Sequence, residues 1–289
     1  MLAVVCALVS ALLYGLASVL QQRGAAAQPE DQSLRLGLLA RLIRDPWWMV
    51  GLGCDVAGYV FQFIALGHGP LVLVQPLLVC GLLFALPIGA AVAGRKLLRS
   101  DWLAAVMVCA GLAAFLTIAR PGAGSSDVEA GVWVLLLTTC AAVALVLVVA
   151  SNGRRPRVRV VMLSGGAGVL YGAGAALTKT SSHLLDEGWL RLALHWQPYM
   201  LALFGIAGML LAQSAFQAGW LDVSLPTMSV MDPIVSIVIG ALAFGEGLAS
   251  GPGDVAVEVV ALIVMSLGVI MLARSSARST VAPSPSVSR

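Results

Sequence analysis

The sequence predicts an all-α integral membrane protein of nine transmembrane helices in a five plus four inverted repeat, with the N-terminus outside and the C-terminus cytoplasmic. Three observations carry that expectation. Of 289 residues, 60% are hydrophobic and 11% charged, with a mean hydropathy of +0.96; a soluble domain carries about 25% charged residues, so this chain lacks the means for a polar skin. Nine apolar runs bounded by charge approach the ~20 residues that a helix needs to cross a bilayer, and in lipid such runs satisfy their backbone as helix. The basic residues, finally, sort almost wholly to one side of a nine-crossing path.

The runs lie at 2–20, 47–67, 71–93, 102–119, 130–150, 159–179, 199–219, 222–244 and 255–273. The first lacks a basic n-region and is long for a signal-peptide core, so Ala25-Ala26-Ala27 is read as a connection and not as a cleavage site. Before the second run, 31–45 (DQSLRLGLLARLIRD) mixes leucine and arginine over too short a length to span, and is expected along the interface. Trp47, Trp48, Trp102, Trp133 and Trp220 stand at or near run ends, where an indole meets the headgroup layer. Between the sixth and seventh runs, 183–198 carries too many charges to cross. The end of the chain, ARSSARSTVAPSPSVSR, reads as a disordered cytoplasmic tail. Four regions follow: a first repeat at 1–150, a basic connector at 151–158, a second repeat at 159–274 and the tail at 275–289.

Orientation comes from charge. Arg23, Arg35, Arg41 and Arg44 follow the first run; Arg95, Lys96 and Arg99 the third; Arg154, Arg155, Arg157 and Arg159 surround the connector; Arg274, Arg278 and Arg289 close the chain. These fourteen of 17 basic residues share one side, leaving Arg120, Lys179 and Arg191 for the other. Positive residues stay inside, so that side is the cytoplasm. The outer loops then hold Asp127, Glu129, Asp186, Glu187, Glu246 and Asp254, an acidic field that concentrates cations.

Two parts of the chain echo one another. Leu13-Tyr14-Gly15 matches Leu170-Tyr171-Gly172 at an offset of 157, and Ala65, Gly69, Leu71 and Pro76 match Ala215, Gly219, Leu221 and Pro226 at 150. An odd number of crossings separates the first run from the sixth, so the halves insert oppositely, as in many secondary transporters. Pro76 and Pro226 mark helices broken at corresponding places, or else simple packing kinks. In the sixth run, Gly165, Gly168, Gly172 and Gly174 make a face for close helix packing.

Asp55 and Asp232 fall near mid-membrane. A charge there costs about 2.5–3.5 kcal/mol on insertion scales, so such residues usually face a cavity and serve function. They are the candidate cation or coupling-proton groups, and the tentative metal ligands; the plainer reading is a neutral carboxyl bonded to a neighbouring helix. Tyr14, Gln62, Gln75, Tyr171, Gln213, Gln217, Thr227 and Ser229 are suited either to reading a solute or to joining helices. With Pro76 and Pro226 they complete the expected pathway.

Other chemistry lacks its signals. Five cysteines without a CxxC pair, three isolated histidines, and no HExxH or P-loop argue against structural metal, haem and nucleotide-driven work. No cofactor is expected. Gly51-Leu52-Gly53-Cys54-Asp55 is one residue too long for an intramembrane aspartyl protease signature, and Ser164 has no histidine near it in sequence. The chain is therefore read as no enzyme, its partners being the lipid bilayer and a small solute or cation, with no nucleic acid. A scaffold that transports nothing is the remaining class.

YGLASVLQQRG at 14–24, WWMVGLG at 47–53, ALGHGPLVLVQPL at 65–77 and SAFQAGWLDVSLPTMSVMDPIVSIVIGALAFGE at 214–246 resemble the drug/metabolite transporter (EamA-like) superfamily, and within it the NIPA-type magnesium transporters. The resemblance implies two inverted repeats, five plus four here as against the usual ten helices. It implies alternating access in the plasma membrane, with import of magnesium or a related divalent cation. The wider superfamily implies instead export of small metabolites or drugs, coupled to protons. Fifteen Arg against two Lys points to a GC-rich bacterial genome.

Overall fold

Long apolar runs become long helices. The computed structural model describes residues 1–26, 41–92, 97–119, 128–218, 221–246 and 252–278. Among them stand α1 (Leu2–Ala26), α2 (Pro46–Gly67), α3 (Leu71–Leu78), α4 (Gly81–Val92), α5 (Arg99–Ala119), α6 (Ala130–Ser151), α7 (Pro156–Asp186), α8 (Trp189–Leu194), α9 (Gln197–Gln217), α10 (Leu221–Ala243) and α11 (Pro252–Arg278). Seven helical segments among the described residues are long and apolar enough to cross a membrane: Leu2–Gln21, Pro46–Gly67, Leu71–Val92, Ala130–Ser151, Pro156–Asp186, Gln197–Gln217 and Val223–Ala243. The interfacial expectation at 31–40, the tail beyond 278, Arg95, Lys96, Arg120, Asp127, Gly219 and Trp220 lie outside the described residues, as does the side chain of Asp254.

Local chemistry sets the ends. Asp45 caps α2, its Oδ1 accepting the Trp48 N–H at 2.9 Å, with Pro46 at the first turn where no donor is missed. Arg23 at the end of α1 lies 4.4 Å over the Trp47 ring, joining α1 to the start of α2. Gly153, at φ 69°, turns the chain between α6 and α7, and Pro156 opens α7. The third run is two helices, parted just past Pro76 where tighter bonds close the chain: Val79 N–H to Pro76 O and Cys80 N–H to Leu77 O. Its counterpart differs. Pro226 does not break α10, which runs on through Pro226 and Pro233. Pro76 and Pro226 each stand at the sixth position of a helix, so the missing N–H is not by itself what parts α3 from α4. The expected pair of broken helices is thus a single break, in the first half.

The helix α7 is the hub. Its most apolar stretch is 83% buried, against 17% for α6, whose Val134, Leu135, Leu145 and Val146 face outward. Small residues allow this centrality: a Cβ on Gly168 would stand 2.7 Å from Met231 Cβ, and one on Gly172 2.8 Å from the Asp232 carbonyl oxygen, so α10 rests directly on that face. Around the hub pack α2, α6, α9 and α10, while α1 packs on α2, α3 and α4.

Two sets of close approaches recur across the chain. A Cβ on Gly58 would meet the Tyr14 ring at 3.0 Å, and one on Gly208 the Tyr171 ring at 2.8 Å. Where α5 crosses α11, a Cβ on Gly111 would lie 2.8 Å from Ala261 O and 2.7 Å from Met265 N; one on Gly268 would lie 2.9 Å from Ala104 O and 2.8 Å from Val108 N. Each glycine therefore meets the backbone seven and three positions before the other. The contact is reciprocal, as a two-fold relation demands.

Candidate functional site

The helices leave a cavity of about 430 Å³ lined from α1, α2, α3, α4, α7, α9 and α10. It gathers Tyr14, Asp55, Gln62, Gln75, Tyr171, Gln213 and Asp232 of the expected pathway, and Ser229. Pro76, Gln217, Pro226 and Thr227 do not line it. The reason is direction: Pro76 and Pro226 are buried in packing, and the Thr227 hydroxyl donates back to Val223 O at 2.7 Å.

A chain of hydrogen bonds crosses the cavity wall. Trp48 Nε1 donates to Gln213 Oε1 at 3.2 Å; Gln213 Nε2 donates to Gln21 Oε1 at 2.6 Å; Gln21 Nε2 donates to Asp55 Oδ2 at 2.7 Å. The Asp55 carboxylate is therefore held by α1, which is held in turn by α9. On other parts of the wall, the Tyr14 hydroxyl donates to Gln62 Oε1 at 2.5 Å, and the Tyr59 and Thr178 hydroxyls pair at 3.0 Å. Asp232 Oδ1 accepts from the Ser236 hydroxyl one turn on, at 3.2 Å. Gln75 is 1% exposed, and neither Nε2 nor Oε1 makes a hydrogen bond.

Gln21, Ser18, Tyr59 and Thr178 also line the cavity and were not singled out from the sequence. Helical periodicity would have found them. Tyr14, Ser18 and Gln21 stand at i, i+4 and i+7; Asp55, Tyr59 and Gln62 repeat that spacing, and Tyr171, Gly174 and Thr178 share a face at i, i+3 and i+7.

Among the described residues no Lys, Arg or His lines the cavity. Asp55 and Asp232 are the two acidic side chains on its wall. No cluster of three or more His, Cys, Asp or Glu is placed to hold a metal ion among the described residues, so a metal here would depend on Asp55, Asp232, neutral oxygens and its own waters.

One acidic residue belongs elsewhere than expected. Glu246 is buried and does not contribute to an exposed outer field. Past the end of α10 Gly245 takes φ 61°, a left-handed turn open to glycine, and the Glu246 N–H bonds back to Gly240 O at 3.0 Å. This turn aims the carboxylate at the start of α3, where it accepts the Leu71 and Val72 N–H groups at 3.0 Å each. Lys179, expected at the end of its run, sits inside α7, donates to Glu246 Oε1, and lies 4.8 Å from the Phe244 ring. A charge neutralised inside the protein needs no loop, and α7 continues to Asp186.

These features define an all-helical protein, with seven helices long and apolar enough to cross a membrane, built around a cavity that two acidic side chains line. No family model matches the chain, and no solved structure matches it. The chain belongs to the family of an uncharacterized protein of Corynebacterium glutamicum, to which it is 31% identical over 277 residues, covering 96% of each chain. It is also 23% identical over 274 residues to a protein of Arabidopsis thaliana described as probable magnesium transporter NIPA9, covering 89% of this chain and 78% of that one.

Proposed function

We propose that the protein is a multi-pass transporter that moves a small cation across the plasma membrane by alternating access, with Asp55 and Asp232 as the charge-selecting groups. The observation that carries this reading is the cavity: two carboxylates on different helices, no basic residue beside them, and seven helices contributing the wall. Nine crossings follow if α5 and α11 also span, and the cytoplasmic face is then the one that holds the fourteen basic residues. The reciprocal crossing of α5 with α11, and the matched approaches of Tyr14 to Gly58 and Tyr171 to Gly208, support two halves related by a pseudo-two-fold axis. Such halves rock about a central site in many secondary transporters. The distant likeness to a probable magnesium transporter agrees with transport and with positive charge.

The test is cation-evoked charge movement by the full chain reconstituted in vesicles. Asp55→Asn and Asp232→Asn each abolish the signal at unchanged abundance; wild-type currents from both variants would remove these residues from the pathway. A second reading, that the cation is magnesium, is favoured by the Arabidopsis relative. It requires wild type to rescue magnesium-dependent growth in a host without its own importers, and either aspartate variant to fail.

A further inference from the structure

The geometry points to an organic ammonium ion as the solute, its charge held by Asp55 and Asp232 and a hydroxyl or amide group beside that charge read by Gln75. This rests on the cation-transport reading above and specifies the chemistry of the same cavity.

Size is the first argument. At about 430 Å³ the cavity falls within the ~300–1,000 Å³ range of organic-ligand pockets. A magnesium ion needs near-octahedral oxygen at about 2.0–2.1 Å and keeps most of its waters, each of which needs a polar partner. Much of this wall offers none: Leu52, Val56, Leu78, Met209, Phe216 and Leu225 are apolar. A carbon skeleton is the complement of such a surface, and an ammonium group is the complement of the carboxylates.

Gln75 supplies the second argument. Tyr14 with Gln62, Tyr59 with Thr178, and Gln21 with both Asp55 and Gln213 have partners within the protein. The Gln75 amide, buried more deeply on the same cavity than Tyr14 or Tyr59, has none for either heteroatom. Buried polar groups are almost always paired, and one left unpaired in a cleft is matched by what the cleft binds. An amide is donor and acceptor at once, so its complement carries both, as a hydroxyl or an amide does. The residue is also held in place. Leu71, one turn earlier on α3, is anchored through its N–H to Glu246, and Pro76 follows immediately.

Three related probes separate the two contacts. 2-Amino-1-phenylethanol carries both the ammonium and the hydroxyl, 2-phenylethylamine lacks the hydroxyl, and 1-phenylethanol lacks the amine. Binding to the purified full chain is measured calorimetrically, beside magnesium chloride. Wild type is expected to bind the amino alcohol about tenfold more tightly than the plain amine, the value of one well-matched hydrogen bond, and 1-phenylethanol not measurably. Gln75→Met brings the two amines level. Gln75→Leu does the same and serves if the first variant fails to fold. Asp55→Asn weakens both amines and leaves their ratio. Equal binding of the two amines to wild type, or a preference that survives both Gln75 variants, overturns the assignment. Magnesium bound in an Asp55-dependent way with no amine bound overturns it too, while leaving the cation transporter intact. If neither magnesium nor any amine binds, the cation site itself falls.

Discussion

Glu246→Gln tests whether the ion pair above the cavity holds the helices together. Both side chains are buried, Lys179 at 4% exposure and Glu246 at 0%. The substitution takes the Glu246 charge away from the Lys179 ammonium, and removing one partner of a buried pair costs about 3–5 kcal/mol. It also offers one acceptor to the two N–H groups of Leu71 and Val72 that now share a carboxylate. Because these losses overlap, the sum stays near ~4 kcal/mol. At ~2–4 °C per kcal/mol for a chain of this order, the melting temperature in detergent should fall by about 10 °C. Lys179→Met should cost less, ~2 kcal/mol, since Glu246 keeps both backbone donors. The double variant should then recover part of the Glu246→Gln loss, because no buried ammonium remains. A melting curve for Glu246→Gln within ~2 °C of wild type, or a double variant whose loss equals the sum of the singles, would refute the reasoning.

Three more outcomes follow from distances. Gly111→Val and Gly268→Val should each destabilise the α5–α11 crossing by ~2 kcal/mol or more, and by similar amounts, because each glycine meets the other helix's backbone in the same way; one variant tolerated and the other not, in detergent melting, contradicts the reciprocity. Gly53→Ala should stabilise by ~0.5–1 kcal/mol, since nothing lies within 4 Å of its Cβ position, whereas Gly51→Ala should destabilise because its Cβ would meet Gln21 Cγ at 2.9 Å. Melting shifts of the same sign would show the α1–α2 approach to be looser than described. Gln213→Leu removes the acceptor of Trp48 and the donor to Gln21, two buried hydrogen bonds worth together ~2–3 kcal/mol. The same variant should weaken calorimetric binding of 2-phenylethylamine by freeing the amide that holds Asp55, and unchanged affinity would disconnect that chain from the site.

Helices were legible because their signal is local. Twenty apolar residues between charges can be read without any partner, and each expected run falls on α1, α2, the α3–α4 pair, α5, α6, α7, α9, α10 or α11, with α1 and α7 running on past the expected ends to Ala26 and Asp186. Polar residues in those runs were legible as residues but not as faces: Asp55 and Gln62 stood out, while Tyr59 between them became visible only on the helical repeat. Contacts between distant segments left no trace. Glu246 reads as one more acid in an outer loop until the left-handed turn at Gly245 aims it at α3, 175 positions earlier in the chain. Pro76 and Pro226 carry the same covalent restriction at the same sixth position of their helices, and the chain parts only in the first half, past Leu78.

The place of Glu246 in the chain also sets a schedule for synthesis. Lys179 leaves the ribosome 67 residues before its counter-ion. At roughly 5–20 residues per second that is an interval of about 3–13 s. Throughout it α7 carries an unneutralised ammonium, and the start of α3 still lacks its acceptor. The nascent protein must keep that charge near water, or in the care of the insertion machinery, until α10 arrives.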